Sequence, residues 1–211
     1  MELLISAYCK IANHKIWVND TLTYEAEPSE LGNFLNDVYR HLNIGYPKFF
    51  KMDNLCKLGV LATELAIKNS LSFEHHAKEN IALLFSNRAS SIDTDRNHAK
   101  SIADKNHYFP SPSVFVYTLP NIVIGEIAIK HKITGENAFF VSENFDIELI
   151  LNYAQITLKN TSASCVLCAW VNVDGNNYEA FVFCVEKPTF KQEKKSFELP
   201  FSKASIQQII S

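Results

Sequence analysis

Long apolar runs and dense basic clusters are both missing from this sequence of 211 residues. No stretch of about 18 consecutive apolar residues occurs, so no transmembrane helix is predicted. The first ten residues, MELLISAYCK, lack the basic and long apolar regions of a signal peptide and are typical of a strand. Lysines cluster only at 191–195, where Gln192 and Glu193 interrupt them, and the net charge is −3. We therefore expect no membrane insertion and no nucleic-acid partner, and we interpret 191–195 as a solvated loop.

A disulfide framework is also missing, because the chain has five cysteines, an odd number at irregular spacing. The cysteines lie in apolar segments, which predicts buried free thiols and a reducing, cytoplasmic environment. Cys165 and Cys168 have the spacing of a redox or zinc motif. No second pair of this kind follows them, so we expect both side chains to be packing residues.

Histidines and carboxylates form no metal motif that the sequence alone reveals. His75 and His76 lie in a polar stretch without an evident third ligand, so we expect both on the surface. Asp93, Asp95 and His98 lie in a polar segment of a composition that is ordinary for loops. The sequence therefore predicts neither a metal nor a cofactor.

The pattern of apolar residues predicts an α/β domain with a mixed sheet and helices packed in layers. Residues 86–112 are interpreted as a connecting segment with one short helix, and Gly125 as the point where another backbone comes close. A hairpin is indicated by the turn DGNN at 174–177. The predicted elements are a strand at 2–9, a helix through Leu31–Val38, an amphipathic helix at 51–69 capped by Asp53 or Asn54, a strand at Ile81–Phe85 buried on both faces, a helix at 118–132 with Thr118 as its cap and Pro120 in its first turn, a strand at Ala138–Val141, a helix at Phe145–Leu158, and two strands at 162–173 and 178–186.

The stretch GENAFFVSENFD, residues 135–146, predicts a strand that leads directly into a helix. Many enzymes place a nucleophile at such a junction, and Ser142 is the hydroxyl available here, although no G-x-S-x-G motif surrounds it. The alternative is that Ser142 caps the helix. Asn144 could likewise bind an acyl thioester oxygen or cap the helix. The phenylalanines Phe139, Phe140 and Phe145 belong to the core or an interface, or else fill an acyl tunnel.

Three segments, in this order, resemble the N-terminal half of a β-ketoacyl synthase. They are KMDNLCKLGVLATELAIKN, SPSVFVYTLPNIVIGEIAIKHKITGEN, and the strand pair CVLCAWVNVD and YEAFVFCVE. The second segment is the most specific, and it matches ketosynthases and chain-length factors at Ser111, Pro112, Ser113, Phe115, Tyr117, Leu119, Pro120, Asn121, Gly125, Ile127, Ala128, Ile129, Gly135 and Asn137.

The resemblance covers residues 1–187, which we expect to form a single domain, with 188–211 as a C-terminal extension packed on it. It is nearest to the short ketosynthase-like proteins that accompany bacterial aryl-polyene and flexirubin-type pathways. It implies a thiolase-like half-fold and a role in fatty acid, polyketide or polyene synthesis on an acyl carrier protein.

The sequence departs from this family where the chemistry occurs. A ketosynthase carries its cysteine nucleophile about nine residues after the glycine matched by Gly135, and Asn144 or, with a one-residue shift, Phe145 stands there. The two histidines that assist decarboxylation belong to a C-terminal half that has no counterpart in these residues. Because condensation needs a thiolate to carry the acyl group, the sequence predicts no catalytic residue and no condensation.

The resemblance also implies a partner surface. In this family the strand before the nucleophile pairs with its counterpart across a dimer, and here it comprises residues 138–141. We expect an interface formed by Phe139, Phe140, Val141, Pro120 and Asn121. The partners would be a full-length ketosynthase or a second copy, together with an acyl carrier protein.

Three alternatives to this prediction stay open. A local helix or the C-terminal tail could cap the strand edge in a monomer. The chain could be a small acyl-thioester hydrolase or acyltransferase that uses Ser142. It could also be an acyl or carrier-protein binding module without a ketosynthase partner.

Overall fold

The computed structural model describes residues 2–104, 106, 109–187 and 197–210. The lysines at 191–195, interpreted above as a solvated loop, lie outside these residues. In chain order the elements are β1 (Leu4–Ala12), β2 (Lys15–Val18), β3 (Thr21–Glu25), α1 (Leu31–His41), α2 (Asn54–Lys68), β4 (Ile81–Asn87), α3 (Ile92–Ile102), α4 (Pro112–Phe115), α5 (Ile122–His131), β5 (Asn137–Val141), α6 (Ile147–Asn160), β6 (Cys165–Asp174), β7 (Asn177–Glu186), β8 (Leu199–Pro200) and α7 (Lys203–Ile210).

The strands form one mixed sheet in the order β3-β2-β1-β7-β6-β4-β5, and β8 pairs with the start of β1. β4 runs parallel to both β5 and β6, while β1, β2, β3, β7 and β8 pair antiparallel to their neighbours. The mixed sheet confirms the predicted fold class. β5 therefore lies at one edge of the sheet and β3 at the other.

Helices cover both faces of the sheet and give a three-layer arrangement. α1, α2 and α5 pack on one face, which we call the α2 face, and α6 and α7 pack on the other, which we call the α6 face. β4 lies between the layers with all of its residues buried, as its apolar run predicted. Of the helices that follow β4 in the chain, α5 therefore packs on one face of the sheet and α6 on the other.

α2 begins where the sequence indicated, because the carboxylate of Asp53 accepts a hydrogen bond from the backbone N–H of Cys56 at 2.9 Å. The helix is not amphipathic, however. Even Lys57, Thr63 and Glu64 are buried, since the sheet, α1 and α5 enclose it. The spacing of apolar residues predicts only the side of the helix that faces the sheet, so it could not show that neighbouring helices bury the polar residues on its other side.

The β6–β7 hairpin has the predicted turn, with Gly175 at φ +61°. The hairpin turns of β1–β2 and β2–β3 were missed. Asn13 and His14 form the first and Asn19 and Asp20 the second, all four with positive φ. Because neither turn contains glycine, the usual signal for this geometry was lacking, and only residues 2–9 were predicted as a strand.

Residues 86–112 contain the predicted helix, although α3 is longer than expected, with 11 residues. The prediction for the start of α5 was wrong. The next long helix starts at Ile122, because Thr118 closes the turn after α4 by donating to the carbonyl of Phe115 at 2.7 Å. Thr118 is therefore not the helix cap, and Pro120 precedes the helix.

The glycine predicted to permit a close backbone approach is not Gly125. A methyl group added there would meet nothing within 4 Å. The close approaches are at Gly59, where an added Cβ would lie 2.3 Å from Val123 of α5, and at Gly135. The first allows α2 and α5 to pack against each other.

The C-terminal residues 197–210 lie against the rest of the chain. β8 pairs with Leu4 and Ile5 of β1, and α7 buries Ile206 and Ile209 against the α6 face of the sheet. No helix in the described ranges is long and apolar enough to span a membrane.

Candidate functional site: the β5 edge and the β5–α6 junction

The position of β5 depends on Gly135. A Cβ at this residue would lie 2.2 Å from the carbonyl oxygen of Ile81 and 2.9 Å from that of Glu79. Only glycine lets the chain pass so close to the start of β4, after which Leu83 donates to the carbonyl of Glu136 at 2.9 Å. This contact fixes where β5 begins and thus where the junction after it lies.

The two adjacent phenylalanines of β5 point to opposite faces of the sheet, as strand geometry predicted. Phe139 packs against the α2 face and Phe140 against the α6 face, and both are partly buried. The ring of Phe140 meets that of Tyr153 on α6 edge-on, with centroids 5.5 Å apart. α6 is thereby held beside the open edge of β5.

The junction itself is a loop and not the first turn of a helix. The backbone N–H of Ser142 donates to the carbonyl of Asn87 at 2.9 Å, which extends the pairing with β4 by one residue. Its hydroxyl then donates to the carbonyl of Asn144 at 2.8 Å. The N-cap of α6 is Asp146, whose carboxylate accepts from the N–H of Leu149 at 2.9 Å. The prediction that Ser142 or Asn144 caps the helix was wrong.

Asn144 and Phe145, the two residues at the position where the resemblance implies a cysteine nucleophile, have different environments. Asn144 is exposed to solvent. Phe145 is half-buried and turns back onto the sheet, where its ring meets that of Phe181 edge-on at 4.8 Å and that of Trp170 at 6.1 Å. Packing on the α6 face therefore occupies this position.

The electrostatics of the junction oppose a reactive anion. Asp146 lies at the N-cap of α6 and Glu148 in its first turn. Both carboxylates interact with the positive end of the helix dipole, which elsewhere stabilises a thiolate or an oxyanion. Ser142 makes its one described side-chain hydrogen bond to a carbonyl, which cannot remove its proton. The junction thus lacks both an activating base and an available helix terminus.

None of the five cysteines lies at the β5–α6 junction. All five are free and buried, as predicted. Burial raises the pKa of each thiol above its ordinary value, which keeps the unreactive neutral form. Cys165 and Cys168 face opposite sides of the sheet, so the spacing between them is not a binding motif.

Apolar side chains lie along α6 beside the β5 edge. Ile156 is 57% exposed, and Tyr153 and the half-buried Leu149 lie on the same side of α6 as Ile156. Val141 is also 57% exposed, but it alternates with Phe140 along β5 and so points to the α2 face. We call Leu149, Tyr153 and Ile156 the edge patch. The opposite edge of the sheet is different, because β3 is polar and carries an exposed ion pair between Glu25 and Lys15 of β2 at 2.8 Å. A charged edge resists strand pairing and an apolar edge favours it.

The other residues expected at the interface precede α5. Pro120 is half-buried and Asn121 is exposed, and Asn121 forms the N-terminal boundary of the helix. The described contacts do not bring either residue to β5. Their membership of an interface stays a prediction.

The acidic residues expected in a loop belong to α3 and its ends. Asp93 accepts from the N–H of Gly175 at 3.2 Å, and Asp95 accepts from the hydroxyl of Ser91. His98 lies against the ring of Phe115, with centroids 5.4 Å apart. Their recorded partners tie the helix to neighbouring turns, and the three side chains do not converge on one point.

His76 is a correction to the sequence analysis, because it is buried and not on the surface. Its ring nitrogens lie 2.7 Å from the hydroxyl of Ser164 and 3.2 Å from the carboxylate of Glu186. These partners are 88 and 110 residues away in the chain, so no local pattern could have revealed them. Together with Cys165, His76 and Glu186 form the one group of metal-ligating side chains that lie close together in the described ranges.

Comparison with known proteins gives structural neighbours only. Neither a protein-family model nor a curated protein matches the sequence. The ishigamide ketosynthase/chain length factor superposes with a TM-score of 0.66 at 13% identity, covering 89% of this chain and 63% of that one. The ketosynthase ApeO in complex with its chain length factor ApeC from Xenorhabdus doucetiae gives 0.55 at 12%, covering 89% and 79%. AntDE:AntF, a type II PKS acyl-carrier protein in complex with its ketosynthase, gives 0.66 at 12%, covering 89% and 63%.

These likenesses establish the fold. The chain has the thiolase-like fold of ketosynthases and chain length factors, as the resemblance implied. It spans 63% of the length of the ishigamide structure, which is less than two thirds.

Proposed function

We propose that this chain is a non-catalytic, chain-length-factor-like subunit that supports the synthesis of fatty acids, polyketides or polyenes on an acyl carrier protein. The observation that carries the proposal is the set of side chains at the β5–α6 junction. Where a ketosynthase presents a cysteine at the start of a helix, this chain has Asn144, Phe145 and the capping carboxylate of Asp146.

Each of these residues removes one requirement of acyl transfer. An amide such as that of Asn144 has no lone pair basic enough to attack a thioester, and the ring of Phe145 has no nucleophilic atom. The carboxylate of Asp146 takes up the positive end of α6 that would lower the pKa of a thiol or hold an oxyanion. A single substitution therefore does not recreate the site.

The partner surface is the β5 edge together with the edge patch. An apolar strand edge that stays open is prone to uncontrolled pairing, and proteins cover such edges. A second copy of this chain offers a matching edge, because its own β5 also lies at the end of its sheet, and the resemblance implies a corresponding strand in a ketosynthase. The similar structures support this choice, since two are titled as ketosynthases with chain length factors and a third as a ketosynthase with an acyl-carrier protein.

Catalysis is tested by incubating the purified chain with acyl- and malonyl-carrier protein. We expect no release of carbon dioxide and no condensation product above background. The same preparation and the Ser142→Ala variant should hydrolyse acyl thioesters at equal, background rates, because Ser142 donates its proton to a carbonyl oxygen. Turnover that Ser142→Ala abolishes would favour the hydrolase or acyltransferase instead.

Association is tested with charged residues in the edge patch. Ile156→Glu places a carboxylate in the proposed interface, where burying an unpaired charge costs several kcal/mol. The control is Leu22→Glu on β3, which is 45% exposed and lies at the far end of the sheet. Light scattering should give a monomeric mass for the first variant and the wild-type mass for the second.

The control separates loss of the interface from loss of the fold as the cause of a monomeric mass. Both variants should retain wild-type circular dichroism, because each replaced side chain is largely exposed. A wild-type protein that is monomeric, and that binds no ketosynthase from its own host, would contradict the proposed interface and leave the binding-module alternative.

We also place the protein in the cytoplasm, in view of its five free cysteines. We propose residues 1–187 as one domain, with 188–211 as its extension.

A further inference from the structure

A second cluster of chemically active side chains lies at the opposite end of the central strands from the junction. Cys165 is the first residue of β6, Glu186 is the last residue of β7, and the two are direct partners across this antiparallel pair. His76 reaches them from the segment between α2 and β4. All three side chains are buried, and their ligand atoms lie within 4.8 Å of one another.

We infer that His76, Cys165 and Glu186 form a binding site for a divalent cation of zinc's class. Imidazole nitrogen, thiolate sulfur and carboxylate oxygen are the three ligand types that Zn²⁺ takes in proteins. A cation of this class would join three chain segments that are distant in sequence. The inference does not depend on the proposed function, because the site lies away from the β5 edge.

The separations fit a shared metal after a small adjustment. Zn–N and Zn–O bonds of about 2.0 Å in a tetrahedron place the two ligand atoms about 3.3 Å apart, and Nε2 of His76 lies 3.2 Å from the Glu186 carboxylate. A Zn–S bond of about 2.3 Å requires the sulfur to lie about 3.6 Å from the other two atoms. The Cys165 sulfur would therefore move inward by at most about 1.2 Å from the 4.8 Å limit.

The surroundings orient the histidine as a ligand. The hydroxyl of Ser164 lies 2.7 Å from Nδ1 of His76, so it can hold that nitrogen while Nε2 faces the carboxylate. Metal-bound histidines usually have such a partner on their second nitrogen. On the other carboxylate oxygen, Ser6 and Ser70 donate to Glu186 at 2.6 and 2.8 Å. The hydroxyl of Ser72 donates to the carboxylate oxygen that His76 also contacts, so it can orient the carboxylate that would bind the metal.

The charge balance favours a dication in this buried position. One thiolate, one carboxylate and a neutral imidazole carry two negative charges, which a single dication neutralises. The competing arrangement is a hydrogen-bond network alone, in which His76 and the three serines satisfy Glu186.

Two of the three proposed ligands, Cys165 and His76, have matched controls in the neighbouring sequence. Cys168 lies on the same strand as Cys165, is equally buried and faces the other side of the sheet. His75 precedes His76 and is exposed. The variants Cys165→Ala and His76→Ala should lose the site, whereas Cys168→Ala and His75→Ala should keep it.

The experiment is equilibrium dialysis of the metal-stripped full chain against Zn²⁺ alone, with the bound metal measured by mass spectrometry. We expect one zinc per chain, reduced at least tenfold in affinity by Cys165→Ala and unchanged by Cys168→Ala. Binding should raise the thermal midpoint by about 5–10 °C at a free zinc concentration 100 times the dissociation constant. Co²⁺ in its place should give a thiolate-to-metal charge-transfer band that Cys165→Ala removes and His75→Ala does not.

Two results would overturn the inference. One is zinc binding below one tenth of an equivalent in the wild-type chain under conditions where it is folded. The other is wild-type binding by Cys165→Ala, which would place the metal elsewhere. Because His76→Ala removes the imidazole that contacts the buried carboxylate of Glu186 and could unfold the chain, the decision rests on the cysteine pair, whose removal leaves the hydrogen bonds to Glu186 intact.

Discussion

Two glycines that precede β5 in the chain, Gly125 and Gly135, should respond in opposite directions to the same added methyl group. Gly135→Ala brings a Cβ within 2.2 Å of the carbonyl oxygen of Ile81 and 2.9 Å of that of Glu79. Both atoms belong to the backbone, and Ile81 is already paired with Cys165 across β4 and β6. The clash therefore cannot be relieved by turning a side chain. Gly125→Ala meets nothing within 4 Å on a helix.

The magnitudes follow from these surroundings. Forcing a methyl group into a closed site costs about 2–3 kcal/mol, and for a chain of this size it lowers the thermal midpoint by about 4–12 °C. Replacing an unobstructed helical glycine gains about 0.5–1 kcal/mol, and it raises the midpoint by about 1–4 °C. Urea denaturation and calorimetry of both variants measure the difference. Equal midpoints for the two variants, or a Gly135→Ala protein as stable as the wild type, would refute the account of how β5 is positioned.

Three further predictions concern charge and thiol chemistry. Burial alone would raise the pKa of Glu64, but the His131 imidazole 3.3 Å from the carboxylate and the Lys130 ammonium that donates to it outweigh burial and lower the pKa to about 2. Because the ordinary value is 4.5, this stabilisation is present above pH 4.5 and is lost as the pH falls toward 2. Urea midpoints measured from pH 5 to pH 3 should fall steeply for the wild type and less for Glu64→Gln, and parallel slopes would contradict this. Asn144→Cys should give a thiol whose pKa, from the pH dependence of alkylation, is at or above about 8.5, since Asp146 and Glu148 flank it; a value below about 7.5 would show an activating junction. Thiol titration in denaturant without reductant should count five free thiols, and three or fewer would indicate disulfides.

The sequence predicted those elements whose signals are local. The cap of α2 at Asp53, the buried run of β4 and the β6–β7 turn at Gly175 each depend on residues within a few positions of one another. Where two explanations compete locally, the prediction was less secure. Three polar residues near the start of α6 can all cap a helix, and the structure selects Asp146 because Ser142 first extends the pairing with β4.

The features that the sequence did not reveal depend on distant contacts. His76 is buried because Glu186 and Ser164 reach it, and neither is near it in the chain. The close approach at Gly135 is made by the backbone at Ile81, and Gly125 has the same residue type without that neighbour. The hairpins that extend the sheet beyond β1 have turns of asparagine, aspartate and histidine, whose positive φ values the composition did not indicate.

The sequence alone shows that no cysteine stands where the resemblance implies a nucleophile, but it could not show what surrounds that position. Counting from Gly135 located Asn144 and Phe145 directly. The packing of Phe145 on Phe181 and the carboxylates at the end of α6 became visible only in the folded chain. Both the packing and the charge of this junction therefore differ from those expected of a site that activates a thiol.

The central claim, that the β5 edge is where this chain meets its partner, is tested most directly by hydrogen exchange at the backbone amides of residues 137–141. In a strand at a sheet edge, alternate N–H groups pair with β4 while the others point outward. We expect all five amides to be protected in an assembly of at least twice 23.9 kDa, formed with a second copy or a ketosynthase. The outward-pointing ones should exchange rapidly in Ile156→Glu. Rapid exchange of those amides in the wild-type assembly, or protection of all five in a 23.9 kDa monomer, would contradict the account.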